Sequence, residues 1–299
     1  MFVLAHLSDP HLSPLPAPKL SELFGKRITG YLNWRLRRGA HHRRDVLDAL
    51  VDDLVAQKPD HVAVTGDLAN LSLTAEFAEG RALLARLGTP ARVTVVPGNH
   101  DAYVRSTAGM YLSAWREYLA GDEPSKPPFP FVRRRGPVAL IGLSTAVPTP
   151  PFFASGRLGR AQIDRFAARL AELRKQPCFR VVLIHHPPAG TRPWLKRLED
   201  AAAFRAVIAR HGAELILSGH DHIAAVHAIA GPERSVPVVQ VPSTSATFDD
   251  PRGGGAYNLY RIAGTPGAWS CEMESRGFRP DGKIAALART ALAGAALSG

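Results

Sequence analysis

The stretch LILSGHDHIA, residues 215–224, decides the prediction of the fold. Its apolar first half predicts a short buried strand, and the polar residues GHDH follow directly. Residues i and i+2 of an extended chain point to the same side, so we expect His220 and His222 to face one centre. A buried strand that ends in two imidazoles and a carboxylate indicates a metal site.

Four other apolar segments end in the same way. Their polar ends read SDPH at 8–11, GDLAN at 66–70, GNHD at 98–101 and HHPP at 185–188. Each of these four also has a simpler explanation: a surface accident for SDPH, a polar turn for GDLAN and for GNHD, and a histidine pair before a proline stop for HHPP. GHDH is unusual by itself. Ligand sites of open α/β sheets gather at the carboxyl ends of strands, so five such ends in order predict one shared site. Glycines at 66, 98 and 219 would permit the close backbone approach that short loops need.

The rest of the chain alternates strands with amphipathic helices. Helical periodicity runs through 43–57, 74–88, 160–176 and 200–212, and the late segments 225–230, 237–242, 256–263 and 268–275 read as strands. This alternation predicts a layered α/β fold with helices on both faces of a central sheet. The late strands predict a second sheet or an antiparallel edge. We find no linker, so we expect one domain over residues 1–299.

Composition narrows the class of protein. None of the 299 residues lies in an apolar segment long enough to span a bilayer, and the N-terminus lacks the features of a signal peptide. Two distant cysteines, Cys178 and Cys271, make a disulfide framework improbable and favour the cytoplasm. The formal net charge of +11 suits a polyanionic partner: nucleic acid, an anionic membrane face or a phosphorylated substrate.

The side chains at the five strand ends determine the expected metals. They are carboxylates, an amide and imidazoles, with no thiolate, and this mixture suits Mn, Fe or Zn better than Ca or Mg. Seven good ligands are too many for one tetrahedral centre, so two metals that share a bridging carboxylate fit better. Two such metals clamp the attacking and leaving oxygens of an in-line displacement. Hydroxide between two cations is available at neutral pH.

The ordered set Asp-x-His, Gly-Asp, Gly-Asn-His-Asp, His and Gly-His-x-His resembles the calcineurin-like metallophosphoesterase family over roughly residues 1–230. The resemblance implies a four-layer α/β/β/α sandwich and a metal-dependent phosphoesterase. It implies that the first metal's ligands are Asp9, His11, Asp67 and His222. It implies that those of the second metal are Asp67, Asn99, His185 and His220, with Asp67 as the bridge.

The resemblance also gives roles to the neighbours of these ligands. His100 corresponds to the histidine that stabilises the transition state or protonates the leaving oxygen. In HHPP we choose His185 over His186 as the ligand, and we expect Asp101 and Asp221 to orient histidines or loops. Asn70 is a candidate for substrate binding.

An insertion at 19–44 separates the first two motifs. Its apolar residues fit one helical stripe: Leu20, Leu23, Phe24, Ile28, Tyr31 and Leu32. Such a basic amphipathic segment lies on an anionic membrane, caps a site that receives a phosphorylated lipid, or packs on the core with a solvated basic face. Arg35 and Arg38 are its candidates for substrate binding, and His41 and His42 are expected to face solvent. The tail at about 281–299 is expected to form a docked C-terminal helix.

We favour hydrolysis of a phosphodiester or pyrophosphate bond, with a lipid-linked nucleotide sugar such as a UDP-diacylglucosamine as substrate. The insertion is similar to those of the UDP-diacylglucosamine pyrophosphatases of the same superfamily, although the best-known of these have Arg where this chain has His100. The protein would then work in the cytoplasm, in peripheral contact with the inner face of a membrane. The alternative is a cyclic-nucleotide or small-molecule phosphodiesterase. A nuclease lacks its stacking aromatics in this sequence, and a non-catalytic scaffold would have lost metal ligands.

Overall fold

The computed structural model describes residues 1–293. The strands are β1 (Phe2–Leu7), β2 (His61–Val64), β3 (Val93–Val95), β4 (Phe131–Arg135), β5 (Val138–Gly142), β6 (Phe179–Leu183), β7 (Leu215–Ser218), β8 (Ala225–Ile229), β9 (Val236–Gln240), β10 (Ala256–Ala263), β11 (Ser270–Phe278) and β12 (Ile284–Ala293). The α-helices are α1 (Lys26–Asn33), α2 (Gly39–His41), α3 (Arg44–Ala56), α4 (Thr74–Leu87), α5 (Met110–Ala114), α6 (Arg116–Leu119), α7 (Arg160–Leu173) and α8 (Ala201–His211). No helix among residues 1–293 has the length and apolar character needed to cross a membrane.

The strands form two mixed sheets of six. The first has the order β12-β11-β10-β1-β2-β3, in which β1, β2 and β3 are parallel and the other pairs are antiparallel. The second has the order β4-β5-β6-β7-β9-β8, in which β5, β6, β7 and β9 are parallel. The parallel strands of each sheet therefore end at one edge, where the polar clusters follow them.

Successive side chains of the central strands point to opposite faces of each sheet, and this explains the four layers. In β5, Leu140 belongs to an apolar core shared by both sheets, whereas its neighbour Ile141 belongs to a second core with α7 and α8. The first core continues through the first sheet to Leu47 of α3 and Leu84 of α4. Successive side chains of a strand point to opposite faces, so each sheet is covered on both sides. The expected four-layer α/β/β/α sandwich is confirmed.

The elements that differ from the sequence-based expectation include the short helices α5 and α6, which the pattern did not indicate, and the strands β4 and β12. Strand β4, which pairs antiparallel with β5, has no counterpart in the predicted pattern. The expected C-terminal helix is wrong over Ile284–Ala293, which is the strand β12 paired with β11; the remainder of that tail lies outside the described residues. The Ala- and Leu-rich sequence favours a helix, but hydrogen bonding to the open edge of β11 overrides that local propensity.

The insertion at 19–44 is helical and held against the loop that follows β2. It comprises a 3₁₀ turn at Leu20–Glu22, then α1, a π-helical segment at Trp34–Arg38 and α2. The buried Arg27 donates hydrogen bonds to the carbonyls of Leu71 (2.9 Å) and Ser72 and to Thr107 Oγ1 (3.0 Å). The insertion is therefore fixed beside the polar cluster that contains Asp67. That the whole chain is one domain stays a prediction.

Candidate metal centre

The five polar clusters converge at the carboxyl ends of parallel strands. Asp9 and His11 follow β1, Asp67 follows β2, Asn99 and His100 follow β3, His185 follows β6, and His220 and His222 follow β7. The first three strands belong to one sheet and the last two to the other, so the centre lies where the two sheets meet. The structure therefore brings together all seven residues proposed as ligands from the sequence.

One half of the centre gathers around His222. Its Nε2 lies 3.2 Å from Asp9 Oδ1 and 3.2 Å from His11 Nε2. His11 Nε2 in turn lies 3.8 Å from Asp9 Oδ1 and 3.8 Å from Asp67 Oδ2. All four side chains are buried. Two imidazole nitrogens and two carboxylates thus point at a common small volume.

The other half gathers around Asn99. Its Oδ1 lies 3.1 Å from His185 Nε2 and 3.0 Å from His220 Nδ1, and His185 Nε2 lies 3.3 Å from Asp67 Oδ2. Asp67 is therefore close to histidines of both halves. This is the position that a bridging carboxylate would occupy.

Hydrogen bonds on the side of each histidine ring that faces away from the centre show which ring nitrogen carries the proton. His11 Nδ1 lies 3.2 Å from the Ala69 carbonyl, His185 Nδ1 lies 2.6 Å from the Thr65 carbonyl, and His220 Nε2 lies 2.9 Å from the Lys196 carbonyl. Each of these nitrogens must be the donor, because a carbonyl accepts only. In the neutral rings, the other nitrogen of each therefore turns a lone pair toward the centre. Metal-binding histidines are oriented in the same way.

Acceptors consequently face acceptors across the centre. When His185 is neutral, as a metal ligand must be, its Nε2 confronts the Asn99 and Asp67 oxygens, and Asp9 Oδ1 is buried without a hydrogen-bond partner among the described residues. Buried polar atoms are rarely left unpaired, because desolvation costs a few kcal/mol for each. A cation between these atoms would satisfy all of them. The donor set fits metal ions.

The buried carboxylates also favour a positive charge at the centre. Burial alone would lower the pKa of His185, but Asp67 and Asp9 raise it to about 10. Burial alone would raise the pKa of Asp9, but His222 beside it holds that pKa well below its usual value. Burial and the charge of Asp67 raise the pKa of Asp101 to about 7. Buried carboxylates concentrated at one point attract a proton or a metal ion.

The loops that carry these side chains are not extended. Asp9, His11, Asp67, His220 and His222 all have positive φ angles, between 35° and 74°. The expectation of an extended chain at Asp9–His11 and His220–His222 is therefore wrong, and left-handed turns place these side chains at the centre instead. Such conformations are uncommon for residues with a side chain and cluster at functional sites.

Close backbone approach does depend on glycine, as the sequence predicted. A Cβ on Gly98 would collide with the Asp67 carboxylate, and one on Gly219 would collide with Ser8 and Asp9. Asp101 orients the same loops: its carboxylate accepts hydrogen bonds from the backbone N–H groups of Asp67 (2.8 Å) and Ala69 (3.0 Å). These contacts hold the GDLAN and GNHD segments together.

His185 and His186 have different surroundings. His186 Nδ1 contacts Thr145 Oγ1 at 2.7 Å and its Nε2 donates to the Ala154 carbonyl at 3.0 Å. Both nitrogens of His186 are thus occupied away from the centre, whereas His185 Nε2 points into it. The geometry supports the choice of His185.

His100 and Arg38 line the pocket beside the centre. The pocket has a volume of about 400 Å³ and is also lined by Asn33, His41, His42, Asp67, Asn99, Ala154, Lys196, His220, Asp221, His222 and Arg252. His100 Nδ1 donates to the Asn70 carbonyl (2.5 Å), and Arg38 donates to His100 Nε2 (2.9 Å) and to His11 Nε2 (3.1 Å). Burial and Arg38 lower the pKa of His100 well below its usual value.

The other candidates have mixed placements. Arg35 is exposed, while Asn70 is buried with its amide donating to the Leu12 carbonyl at 2.8 Å. Asp221 pairs with Arg192 at the pocket wall. The expectation that His42 faces solvent is wrong, because its side chain is buried beside His11. No local pattern indicates this burial, since the contact joins the insertion to the distant segment 243–246.

Comparisons with known proteins agree with this geometry. A family model described as calcineurin-like phosphoesterase matches residues 2–224. A probable cyclic nucleotide phosphodiesterase of Synechococcus sp. is 28% identical over 209 residues, which are 68% of this chain and 72% of that protein.

Solved structures share the fold. A dimetal phosphatase from Danio rerio is similar with a TM-score of 0.63 and 13% identity, over 97% of this chain and 99% of that one. The purple acid phosphatase PPD1 from yellow lupin is similar with a TM-score of 0.55 and 13% identity, over 95% of this chain and 52% of that one.

Proposed function

Because the chain belongs to the calcineurin-like phosphoesterase family, we propose that it hydrolyses a phosphodiester or pyrophosphate bond at two metal ions. The proposed ligands are Asp9, His11, Asp67, Asn99, His185, His220 and His222, with Asp67 shared. The observation that carries this proposal is the set of buried acceptors facing one another across the centre, which need cations between them. When bound, two such ions would supply Lewis acidity and a hydroxide nucleophile at neutral pH. Mn, Fe and Zn suit the donor set.

The chain's own residues prepare the substrate. Arg38 directs its guanidinium at His100 and His11, so it is placed to bind a phosphate oxygen by paired hydrogen bonds. His100 presents Nε2 to the same space, because its Nδ1 is tied to the Asn70 carbonyl. Arg38 therefore neutralises phosphate charge, and His100 either stabilises the charge that develops on the leaving oxygen or protonates that oxygen.

Metal-dependent hydrolysis of bis-p-nitrophenyl phosphate tests this proposal. Protein stripped by chelator should be inactive, and added Mn should restore release of p-nitrophenolate. Elemental analysis should find two metal ions per chain. Full turnover by verifiably metal-free protein, or binding of a single ion, would contradict the two-metal assignment.

For the substrate we propose an amphiphilic molecule with a phosphate or pyrophosphate group, such as an acylated UDP-sugar, met at an anionic membrane surface. The insertion carries exposed apolar side chains at every fourth position: Leu20, Phe24, Ile28, Leu32 and Leu36. Ile28, Leu32 and Leu36 lie on one face of the helical run formed by α1 and the π-helical segment, and Leu20 and Phe24 precede that run. Exposed Arg35 and Arg37 on the same segment, with the net charge of +11, complement anionic lipid.

Three exposed aromatic residues stand close in sequence to residues that line the pocket. Phe152, Trp194 and Phe248 are exposed, and each lies a few residues from a pocket-lining residue. Lys26 of α1 donates hydrogen bonds to Thr149 Oγ1 (2.7 Å) and to the Phe153 carbonyl (3.0 Å), so the insertion and the loop carrying Phe152 are joined. Exposed apolar residues of the insertion and of this loop, together with a basic, carboxylate-lined pocket, suit a substrate with an acyl part and a phosphate part.

The exposed apolar side chains of the insertion can be replaced without changing Arg27, whose hydrogen bonds hold the insertion in place. Changing Phe24, Leu32 and Leu36 to serine should weaken binding to phosphatidylglycerol-containing vesicles at least about tenfold, because each buried side chain of this size contributes on the order of 1–3 kcal/mol. Cosedimentation measures this loss. Cleavage of a vesicle-borne acylated UDP-sugar should fall together with vesicle binding, while the turnover of bis-p-nitrophenyl phosphate should remain unchanged. Tyr31 is left intact, since it packs against the core near Tyr103.

The matched control for the serine variant changes Val55 and Val226, which are exposed outside the insertion. It should bind vesicles like the unmodified protein. An unmodified protein that ignores anionic vesicles and cleaves cyclic AMP far better than any acylated substrate would contradict the lipid proposal.

The second candidate is hydrolysis of a cyclic nucleotide. The similarity to the probable cyclic nucleotide phosphodiesterase of Synechococcus sp. supports it. Such a substrate needs the same metal centre and Arg38 but has no use for the exposed apolar face. The comparison of cyclic AMP with an acylated UDP-sugar therefore distinguishes the two candidates.

A further inference from the structure

His42 is a buried histidine of the insertion that the mechanism above does not use. Its side chain is 2% exposed, although most of its neighbours in the insertion are exposed or half-buried. Its backbone forms a bridge to Ala246, and the next residue, Arg43, donates its N–H to the Ser245 carbonyl at 2.8 Å. The ring position is therefore fixed by two parts of the chain that are distant in sequence.

The ring lies against the His222 half of the centre. Its centroid is 4.6 Å from that of His11 and 5.5 Å from that of His222. One ring nitrogen of each of these three histidines lies within 4.8 Å of the others. Three imidazole nitrogens at this spacing can share one cation.

The two nitrogens of His42 have different surroundings. Nδ1 lies 2.9 Å from Ser245 Oγ and 3.4 Å from Ser243 Oγ. Nε2 makes no hydrogen bond with any residue in the described range 1–293, and His42 lines the pocket. His186, by contrast, uses both nitrogens, with Thr145 and the Ala154 carbonyl. The pattern in His42 is that of a ligand oriented from behind by a hydroxyl.

We propose that His42, through Nε2, is an additional ligand of the metal position formed by Asp9, His11 and His222. This inference rests on the proposed two-metal function. With Asp67, that position would have three imidazoles and two carboxylates, against two imidazoles, an amide and a carboxylate for the other. More nitrogen ligands favour Zn or Fe over Mn at the His42 position. Metal loading would also stabilise the C-terminal end of the insertion, because that end supplies a ligand.

Two substitutions separate a ligand from a structural histidine. In His42→Asn the side-chain amide can keep the hydrogen bond of Nδ1 to Ser245 but has nothing at the place of Nε2, and His42→Ala removes both. We expect both variants to bind one of the two metals at least about tenfold more weakly in competition with a chelator. The visible absorption spectrum of the Co²⁺-loaded protein should change in both. The matched control is His61→Asn, since His61 is buried and hydrogen-bonded to Thr94 away from the centre.

The outcomes are distinguishable. If the unmodified protein fails to bind two metals, the proposed function fails and this inference fails with it. If the unmodified protein binds two metals and His42→Asn keeps their affinities and the Co²⁺ spectrum, only the role of His42 is overturned. A loss in His42→Ala that His42→Asn fully restores would likewise show a structural role. Near-UV circular dichroism of the metal-free variants reports whether the fold is intact.

Discussion

Asp67→Ala should deplete both metals and abolish turnover. The Asp67 carboxylate lies 3.8 Å from His11 Nε2 in one half of the centre and 3.3 Å from His185 Nε2 in the other. Its removal therefore takes a ligand from each proposed position. Metal ions supply several kcal/mol of transition-state stabilisation, so kcat/KM should fall by a factor on the order of a thousand or more. Elemental analysis after dialysis and the rate with bis-p-nitrophenyl phosphate measure the two effects.

Asp67 also has a structural contact, which the controls must address. Its Oδ1 accepts a hydrogen bond from the His100 backbone N–H at 2.7 Å. Asp67→Asn keeps an oxygen for that contact while removing the negative charge, so it should still lose metal. Asp221→Asn changes another carboxylate that lines the pocket but pairs with Arg192, and it should retain both metals. Full metal occupancy in Asp67→Ala would show that Asp67 does not bridge.

The chemistry of the site was predictable because it depends on a repeated local rule. Apolar strands that end in polar clusters, with glycine before Asp67 and His220, put ligands at the carboxyl ends of parallel strands whatever the lengths of the connections. The alternation of Leu140 with Ile141 shows why the layers follow as well, since each central strand must bury both faces.

The rest depends on contacts between distant segments. Nothing local distinguishes His42 from His41, yet His42 is buried by residues 243–246. Periodicity found the apolar residues of the insertion but did not show that Tyr31 packs inward while Phe24 and Leu36 stay exposed. The alanine-rich segment Ile284–Ala293 has helical propensity, and only the open edge of β11 makes it a strand. Such outcomes follow from the partner surface, which the segment itself does not encode.

The insertion connects the metal centre to the substrate. Arg38, near its C-terminal end, contacts His100 and His11, while the exposed apolar stripe of Ile28, Leu32 and Leu36 lies on the same helical run. A substrate held by its apolar part on this stripe would bring its phosphate within reach of Arg38. Binding energy from the remote part of the substrate would then position the reacting group, which raises turnover as well as affinity.

His100→Ala should keep both metals and lose about a hundredfold or more in turnover, the usual contribution of a positioned acid–base or charge-stabilising group. The His100 ring is fixed by its hydrogen bond to the Asn70 carbonyl and by stacking on Tyr103 at 5.3 Å, so Nε2 is held toward the pocket. The deficit should be larger for an alkyl phosphodiester than for one with a p-nitrophenolate leaving group, because a poor leaving group depends more on proton donation. His100 would hold that proton on Nε2 once the bound phosphate offsets the Arg38 charge that lowers its pKa. Rates with the two substrates and metal content measure this.

The variant His100→Asn distinguishes chemistry from positioning. Its amide can donate to the Asn70 carbonyl as Nδ1 does, but it has no group at the place of Nε2, so it should be as slow as His100→Ala. Arg38 donates to Nε2, and the two side chains should act as a unit. Arg38→Ala combined with His100→Ala should therefore cost less than the sum of the two single losses. Normal turnover of the alkyl diester by His100→Asn would reduce His100 to a residue that only orients its loop.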